Sequence, residues 1–229
     1  MTVGDVSLAD LALVVAVSYL IGAIPMGYIV ARAWRGIDIR DYGSGSIGAT
    51  NVLRTLGRGP FMIVLIADAL KGYIPTLATW YIFQDQGTQT AHALQVAAGI
   101  AAVIGHDFPV YIHFRGGRGV ATSFGVFAAL AMPLAVGLVA VGLFIVLAVR
   151  YMSVMSLITV PLGALVLFVL AVVPGGDVYT WTKVIFGVFA TAIVFATHIP
   201  NIRRLIHGTE PKIGEGGEPR AEAMRQKAT

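Results

Sequence analysis

Hydrophobic residues fill six long runs along the chain, and short polar segments separate them. The runs cover Leu11–Ala31, Phe61–Phe83, Ala91–Gly105, Val120–Val149, Met155–Val173 and Val178–Thr197. An α-helix rises about 1.5 Å per residue, so about 20 apolar residues cross the roughly 30 Å hydrocarbon core of a bilayer. The pattern therefore predicts an all-α, polytopic integral membrane protein.

The fourth run, Val120–Val149, is too long for one upright span and short for two. Pro133 divides it, and Pro25 is expected to kink the first run in the same way. With two crossings, Arg150 and the basic C-terminal residues lie on the same side as the arginines that follow the first run. Because basic loops favour the cytoplasm, we predict seven transmembrane helices with the N-terminus outside and the C-terminus cytoplasmic.

Composition supports one membrane domain. The chain is 57% hydrophobic and only 12% charged, with a mean hydropathy of +0.80, whereas soluble domains average roughly a quarter charged residues. We predict a single domain over residues 1–213 and a disordered, cytoplasmic tail rich in Gly, Glu, Lys and Pro over 214–229. The chain has no cysteine, which excludes disulfides, a thiolate nucleophile and Cys-based metal sites. No metal site is expected.

Three polar segments, residues 43–58, 105–119 and 198–212, emerge on the cytoplasmic side in this topology. The first combines glycines and small hydroxyls with Asn51 and Arg54, which suits an anion. Its glycines at 43, 45 and 48 also fit the G-x-G-x-x-G dinucleotide pattern. We reject that match because the pattern requires a preceding strand and a βαβ unit.

The second polar segment ends in a glycine-rich turn that leads directly into a helix at Val120. Free N–H groups and the positive dipole end make a helix N-terminus a seat for an anion, and Arg118 adds charge. The alternative is that the glycines only allow close helix packing. The turn lacks the Gly-Lys-Ser/Thr ending of a Walker loop.

The third polar segment begins at a helix end with His198. This histidine could be a general acid or base, a neutral hydrogen-bonding group or an interfacial anchor. Asn201 and Arg204 could complete a phosphate clamp. Within the second hydrophobic run, Asp68 and Lys71 share a helix face and can neutralise each other.

These segments carry a family resemblance. The quoted motifs are Gly43-Ser44-Gly45-x-Ile47-Gly48-Ala49-Thr50-Asn51-Val52-x-Arg54, Gly105-His106-x-x-Pro109 with Gly116-Gly117-Arg118-Gly119-Val120-Ala121-Thr122, and His198-x-x-Asn201-Ile202-x-Arg204-Leu205. In order, spacing and flanking helices, the chain resembles the bacterial membrane acyl-phosphate:glycerol-3-phosphate acyltransferases, the PlsY family, from about Leu11 to Lys212.

The resemblance implies a seven-helix enzyme of the bacterial inner membrane with its active site on the cytoplasmic face. The implied reaction transfers a fatty acyl group from acyl phosphate to glycerol 3-phosphate, forming lysophosphatidic acid and phosphate without coenzyme A, carrier protein, metal or another cofactor. The implied partners are these two substrates, the lipid bilayer and a soluble acyl-phosphate synthase of the same pathway. No nucleic acid is expected.

The resemblance also implies site residues. Those expected to act in catalysis are Ser44, Asn51, Arg54, Arg118, His198 and Asn201. Those expected to bind substrate or phosphate are Gly45, Thr50, Gly116, Gly117, Gly119, Ser153, Arg204 and Lys71. Three positions depart from the family pattern: Ser46 replaces an Asn, and Arg115 and Arg118 replace lysines. An arginine fork is not a lysine point charge, so the departures alter the expected phosphate geometry.

A different class of function is a membrane transporter for an organic phosphate. Pro25, Pro75, Pro133 and Pro161 would then mark broken helices around a site at the midplane of the membrane. Two observations oppose this reading: the polar segments lie at one face, and Asp68 with Lys71 is the only intramembrane ion pair that the sequence suggests.

Overall fold

The chain is all-α over residues 6–173 and 180–221, the ranges that the computed structural model describes. The helices in these ranges are α1 (Leu8–Gly22), α2 (Met26–Arg35), α3 (Ala49–Leu56), α4 (Arg58–Phe83), α5 (Thr88–Asp107), α6 (Val120–Leu130), α7 (Met132–Val149), α8 (Met152–Val172), α9 (Thr180–Thr197) and α10 (Ile199–Ile206). Short 3₁₀ turns lie at Ile39–Asp41, Gln84–Gln86 and Val110–Ile112. The all-α prediction is confirmed.

Five segments of the described chain are long and apolar enough to cross a membrane. They are Leu8–Arg35, Arg58–Gln86, Thr88–Ile112, Met132–Val149 and Met152–Val172. Helix α9 together with α10, bent by 59°, makes a sixth candidate. Helix α6 is apolar but has 11 residues, which cover only about 16 Å. The count of seven crossings stays a prediction.

Two of the four prolines noted in the sequence accompany helix breaks. Helix α1 ends at Gly22 and α2 begins after Pro25, and the extended backbone of Ala131 separates α6 from α7, whose first turn contains Pro133. The predicted division of the fourth hydrophobic run is therefore confirmed. Pro75 and Pro161 lie inside continuous helices, α4 and α8. The broken helices that a transporter would need at those two positions are absent from the described chain.

Glycines bring the helix backbones into direct contact near the polar loops. A Cβ atom at Gly72 of α4 would overlap the carbonyl oxygen of Thr122, and one at Gly125 of α6 would overlap that of Ala69. Helices α1 and α5 meet in the same way, since a Cβ at Gly22 would overlap the carbonyl oxygen of Ala102. Small residues at these positions let membrane helices pack with their backbones in contact, without a layer of side chains between them.

This packing gathers the polar loops at one end of the helices. The Ile47 N–H donates to the Gly116 carbonyl at 3.4 Å, joining the first and second loops. The Thr197 hydroxyl at the end of α9 donates to the Arg118 carbonyl at 3.4 Å. The three polar segments that the sequence singled out therefore form one surface.

Part of the C-terminal tail lies on the first loop. The Gly43 N–H donates to the Glu218 carbonyl at 3.0 Å, and Tyr42 forms an isolated antiparallel bridge with Pro219. Residues 214–221 belong to the tail for which the sequence predicts disorder, and residues 222–229 lie outside the described residues.

Candidate active site

A cavity of about 500 Å³ extends from the polar loops into the helices. Eight of the residues expected at the site line it: Ser44, Thr50, Asn51, Arg54, Arg118, Ser153, His198 and Asn201. The first turns of α3 and α6 also line the cavity, through Ala49 and Thr50 and through Val120 and Ala121. Because the N–H groups of a first helical turn have no partner within their helix, two positive helix ends meet at this cavity.

The first loop is organised by the side chain of Asn51, which is 1% exposed. Its Oδ1 accepts from the Ser44 N–H at 2.9 Å, and its Nδ2 donates to the carbonyls of Ile39, Tyr42 and Ser46 at 3.1, 3.1 and 2.8 Å. Both amide hydrogens are thus directed at protein carbonyls. This geometry favours a loop-shaping role for Asn51 over the direct substrate contact expected from the sequence.

Glycine is required where the first loop turns around this amide. Gly43 has a φ of 51°, in the left-handed region that favours glycine, and a Cβ there would overlap Asn51 Oδ1. Gly43 therefore serves the shape of the loop.

Arg54 projects from α3 into the same cavity and is almost fully buried. Its Nη2 donates to the Pro211 carbonyl at 3.1 Å and lies 3.8 Å from Glu210 Oε1. Burial lowers the pKa of Arg54, and the neighbouring charge of Glu210 opposes that change. The residue thus places a guanidinium at the polar end of the cavity.

Arg118 brings a second guanidinium from the glycine loop before α6. Burial, together with the positive charges of Arg204 and Arg54, lowers the pKa of Arg118 to about 10. The side chain is therefore charged at neutral pH. Gly119 caps α6 in the left-handed conformation, with a φ of 70°, and no side chain caps this helix. The helix end beside Arg118 therefore has no capping side chain, although the buried Asp107 carboxylate lies close to Gly119.

His198 lines the cavity from the junction of α9 and α10 and is 2% exposed. Its Nδ1 lies 2.8 Å from the Val194 carbonyl, which can only accept, so Nδ1 carries the hydrogen. In the neutral ring Nε2 is then an acceptor. This tautomer can receive a hydrogen bond from a hydroxyl group.

Glu210 is a site residue that the sequence analysis missed. Its carboxylate accepts from Asn201 Nδ2 at 2.7 Å and from Arg204 Nε at 2.7 Å. Burial raises the pKa of Glu210, but the hydrogen bonds from Asn201 and Arg204, together with the positive charge of Arg204, leave it below its ordinary value. The available signal was that Glu210 is the only acid in a segment that also contains two histidines, an asparagine and two arginines.

Six expected residues do not line the cavity: Gly45, Gly116, Gly117, Gly119, Arg204 and Lys71. Gly45 and Gly116 instead line a second, more open cavity of about 840 Å³ on the loop surface, together with Arg115. Lys71 pairs with Asp68 at 2.9 Å, so the predicted neutralisation of these two residues is confirmed. Asp68 itself lines the cavity, as does His106, and neither was expected at the site.

The remaining wall of the cavity is apolar. Phe61 and Leu65 of α4, Phe124 of α6 and Val139 and Leu143 of α7 contribute to it. Val139 and Leu143 are also 57% and 58% exposed on the outer surface of the helices. The cavity therefore joins a cationic end at the loops to an apolar wall that reaches the outside, an arrangement that suits a molecule with an anionic head and a hydrocarbon chain.

Comparison with known proteins identifies close relatives. The sequence model of the glycerol-3-phosphate acyltransferase family matches residues 12–208. A glycerol-3-phosphate acyltransferase of Parasynechococcus marenigrum (strain WH8102) is 44% identical over 204 residues, which cover 89% of this chain and 90% of the relative. The enzyme of the same name from Halalkalibacterium halodurans is 43% identical over 210 residues, covering 90% and 97%.

Two solved structures have a similar fold. The crystal structure of PlsY (YgiH), an integral membrane glycerol 3-phosphate acyltransferase, in its glycerol 3-phosphate form matches with a TM-score of 0.79 and 34% identity, covering 90% of this chain and 96% of that one. The lysophosphatidic acid form matches with a TM-score of 0.76 and 34% identity, covering 89% and 95%.

Proposed function

This chain belongs to the glycerol-3-phosphate acyltransferase family of integral membrane enzymes, and we propose that it takes its acyl group from an acyl phosphate. It transfers a fatty acyl group to glycerol 3-phosphate and forms lysophosphatidic acid, as in phospholipid synthesis. The observation that carries the proposal is the cavity itself, in which Arg54 and Arg118 face one end and apolar side chains form the remaining wall.

Charge supports the choice of donor. An acyl phosphate and glycerol 3-phosphate each bring one phosphate group to the polar end of the cavity. Arg54 and Arg118 line that end, and the first turns of α3 and α6 add positive dipole ends. Glu210 offsets part of this positive charge. The two guanidinium groups and the two helix ends therefore offset part of the charge of two phosphates placed side by side.

The reaction needs little more than positioning. The hydroxyl oxygen of glycerol 3-phosphate attacks the acyl carbon, the bond from that carbon to the phosphate oxygen breaks, and the hydroxyl proton leaves with the phosphate. His198 Nε2, as an acceptor, orients the attacking hydroxyl group. Arg118 and the α6 N-terminus stabilise the departing phosphate, because fixed donors act where charge develops.

The remaining expected residues fit two groups in this scheme. Ser44, Thr50 and Ser153 present hydroxyl groups at the polar end and are proposed to contact the substrates. Asn51, Asn201 and the loop glycines shape the site, and Arg204 acts through Glu210. A soluble acyl-phosphate synthase is the partner that we expect to supply the donor.

The proposed topology has seven crossings of the bacterial inner membrane, with the N-terminus outside and the polar loops and tail in the cytoplasm. Arg32 and Arg35 at the end of α2 and Arg54 near the end of α3 support this side assignment through their positive charge. Because the chain lacks cysteine, Arg115→Cys and Gln86→Cys can each be labelled with an impermeant reagent in whole cells. Labelling at position 86 alone is expected. Labelling at position 115 alone would show that the topology is the opposite of the one proposed.

Donor choice is tested with the purified protein in lipid. Glycerol 3-phosphate is supplied with palmitoyl phosphate, with palmitoyl coenzyme A or with no donor, and lysophosphatidic acid is measured. We expect product with palmitoyl phosphate only. Product from the thioester alone would overturn the proposed donor while leaving the acyl transfer itself intact.

A further inference from the structure

Four ionisable residues lie buried behind the glycine loop. Asp68 and Lys71 of α4 and His106 and Asp107 of α5 are each at most 5% exposed. Buried charges in a membrane protein are costly and usually have a function. The scheme above uses none of them.

Lys71 does not line the cavity. Its Nζ lies 2.9 Å from Asp68 Oδ1 and donates to the Ile24 carbonyl at 2.9 Å, at the break between α1 and α2. Asp68 Oδ1 lies 3.5 Å from Nδ1 of His106. One carboxylate oxygen therefore faces both the lysine and the imidazole ring.

His106 connects this pair to the glycine loop. The Gly117 N–H donates to the His106 carbonyl at 3.0 Å. A Cβ at Gly117 would overlap Nε2 of the His106 ring, and one at Gly116 would overlap the His106 carbonyl oxygen. Two successive glycines thus lie directly on His106, one residue before Arg118.

We propose that Lys71 is a positioning residue for the phosphate seat, which consists of Arg118 and the N-terminus of α6. Through Asp68 it holds the His106 ring against Gly117, and so sets the place of Arg118 and the α6 N-terminus without touching substrate. This inference rests on the acyltransferase function proposed above. It replaces the direct phosphate contact expected for Lys71, because Asp68 and His106 line the cavity and Lys71 does not.

A double-mutant cycle separates the two roles of Lys71. Lys71→Met leaves the Asp68 carboxylate unpaired, Asp68→Asn leaves the lysine unpaired, and the double variant removes both charges. If the pair positions the loop, each single variant loses activity and the double variant recovers most of it. If Lys71 binds phosphate, its loss is not rescued by Asp68→Asn.

The readout is inhibition by inorganic phosphate, the product that occupies the seat. We expect each single variant to raise the phosphate inhibition constant about 10- to 100-fold, and the double variant to return to within about threefold of the wild type. Thermal unfolding is measured in parallel. Single variants that unfold at a lower temperature but keep the wild-type inhibition constant would overturn the proposal, because the pair would then support only the fold.

A second pair of variants tests the contact with the loop without leaving a charge unpaired. His106→Asn retains a donor toward Asp68 but removes the ring, and Gly117→Ala pushes the loop away from the ring. Both are expected to raise the phosphate inhibition constant. Gly137→Ala, where a Cβ would meet open space, is the matched control. Wild-type inhibition in both His106→Asn and Gly117→Ala would refute the proposal, and the wild-type protein tests the acyltransferase function separately.

Discussion

The two glycine-rich loops look alike in the sequence, but one is supported by a side chain nearby in the chain and the other by residues from distant helices. The first, residues 43–48, is held by Asn51, a side chain only a few residues away, and is covered by the tail at Glu218. The second, residues 116–119, lies on His106 and, through it, on a buried ion pair from another helix. The support of a glycine-rich loop can therefore come from a nearby side chain or from distant residues.

The largest effect is expected at the second loop. Arg118→Ala removes the guanidinium beside the α6 N-terminus and is expected to lower kcat/KM about 10²- to 10³-fold. Arg118→Lys keeps the charge but not the fork and should lose less. Steady-state kinetics measure both effects. The exposed Arg115 is the control, and an equal loss in Arg115→Ala would show that general positive charge, not the seat, is required.

The next effect tests the first loop. Asn51→Ala leaves the Ser44 N–H and three carbonyls without their amide partner, which is expected to cost about 1–3 kcal/mol of stability per unsatisfied group. The unfolding temperature of Asn51→Ala should fall together with its activity, whereas Thr50→Ala should leave the unfolding temperature unchanged. Lost activity with unchanged stability would instead support the substrate contact that the sequence suggested for Asn51.

A smaller, pH-dependent effect is expected at Glu210, whose carboxylate contacts Asn201, Arg204 and Arg54. The pKa of Glu210 is lowered in the folded protein, so its carboxylate stabilises the fold above the ordinary glutamate pKa of about 4.3 and loses this contribution as pH falls through the folded value. Glu210→Gln should therefore unfold at a lower temperature than the wild type at pH 7, and this difference should shrink as the pH falls below about 4.3. The exposed Glu215→Gln is the control. A constant difference across pH would assign the effect to packing.

The smallest effect is expected at the junction of the loops. The Ser46 hydroxyl accepts from the Gly48 N–H at 3.2 Å and faces the Gly116 carbonyl at 3.5 Å. Ser46→Asn, which introduces the residue that the family resemblance leads us to expect, should change kcat/KM by about threefold or less, because one weak hydrogen bond is exchanged for another. A tenfold change in kinetics would show that the two loops communicate through this position.

Much of the site could be located from the sequence because its chemistry departs so clearly from the apolar background. Glycines, amides and arginines do not belong in a membrane helix, so the three polar segments stood out, and Pro133 marked the break between α6 and α7. What individual side chains do was harder to predict. Asn51 and Lys71 were expected to meet the substrate, yet the structure directs their polar atoms at protein groups.

The sequence by itself determined the helical membrane class, the polar segments and the pairing of Asp68 with Lys71, because hydropathy and helical spacing are local properties. Only the tertiary structure decided that Glu210 joins Asn201 to Arg204, and that His106 supports a loop ten residues further along the chain. The contact of His106 with the loop before α6 requires the helices to pack closely, as they do at Gly72, Gly125 and Gly22. The distance between two helices depends on how the whole molecule packs, and no periodic pattern in the sequence reports it.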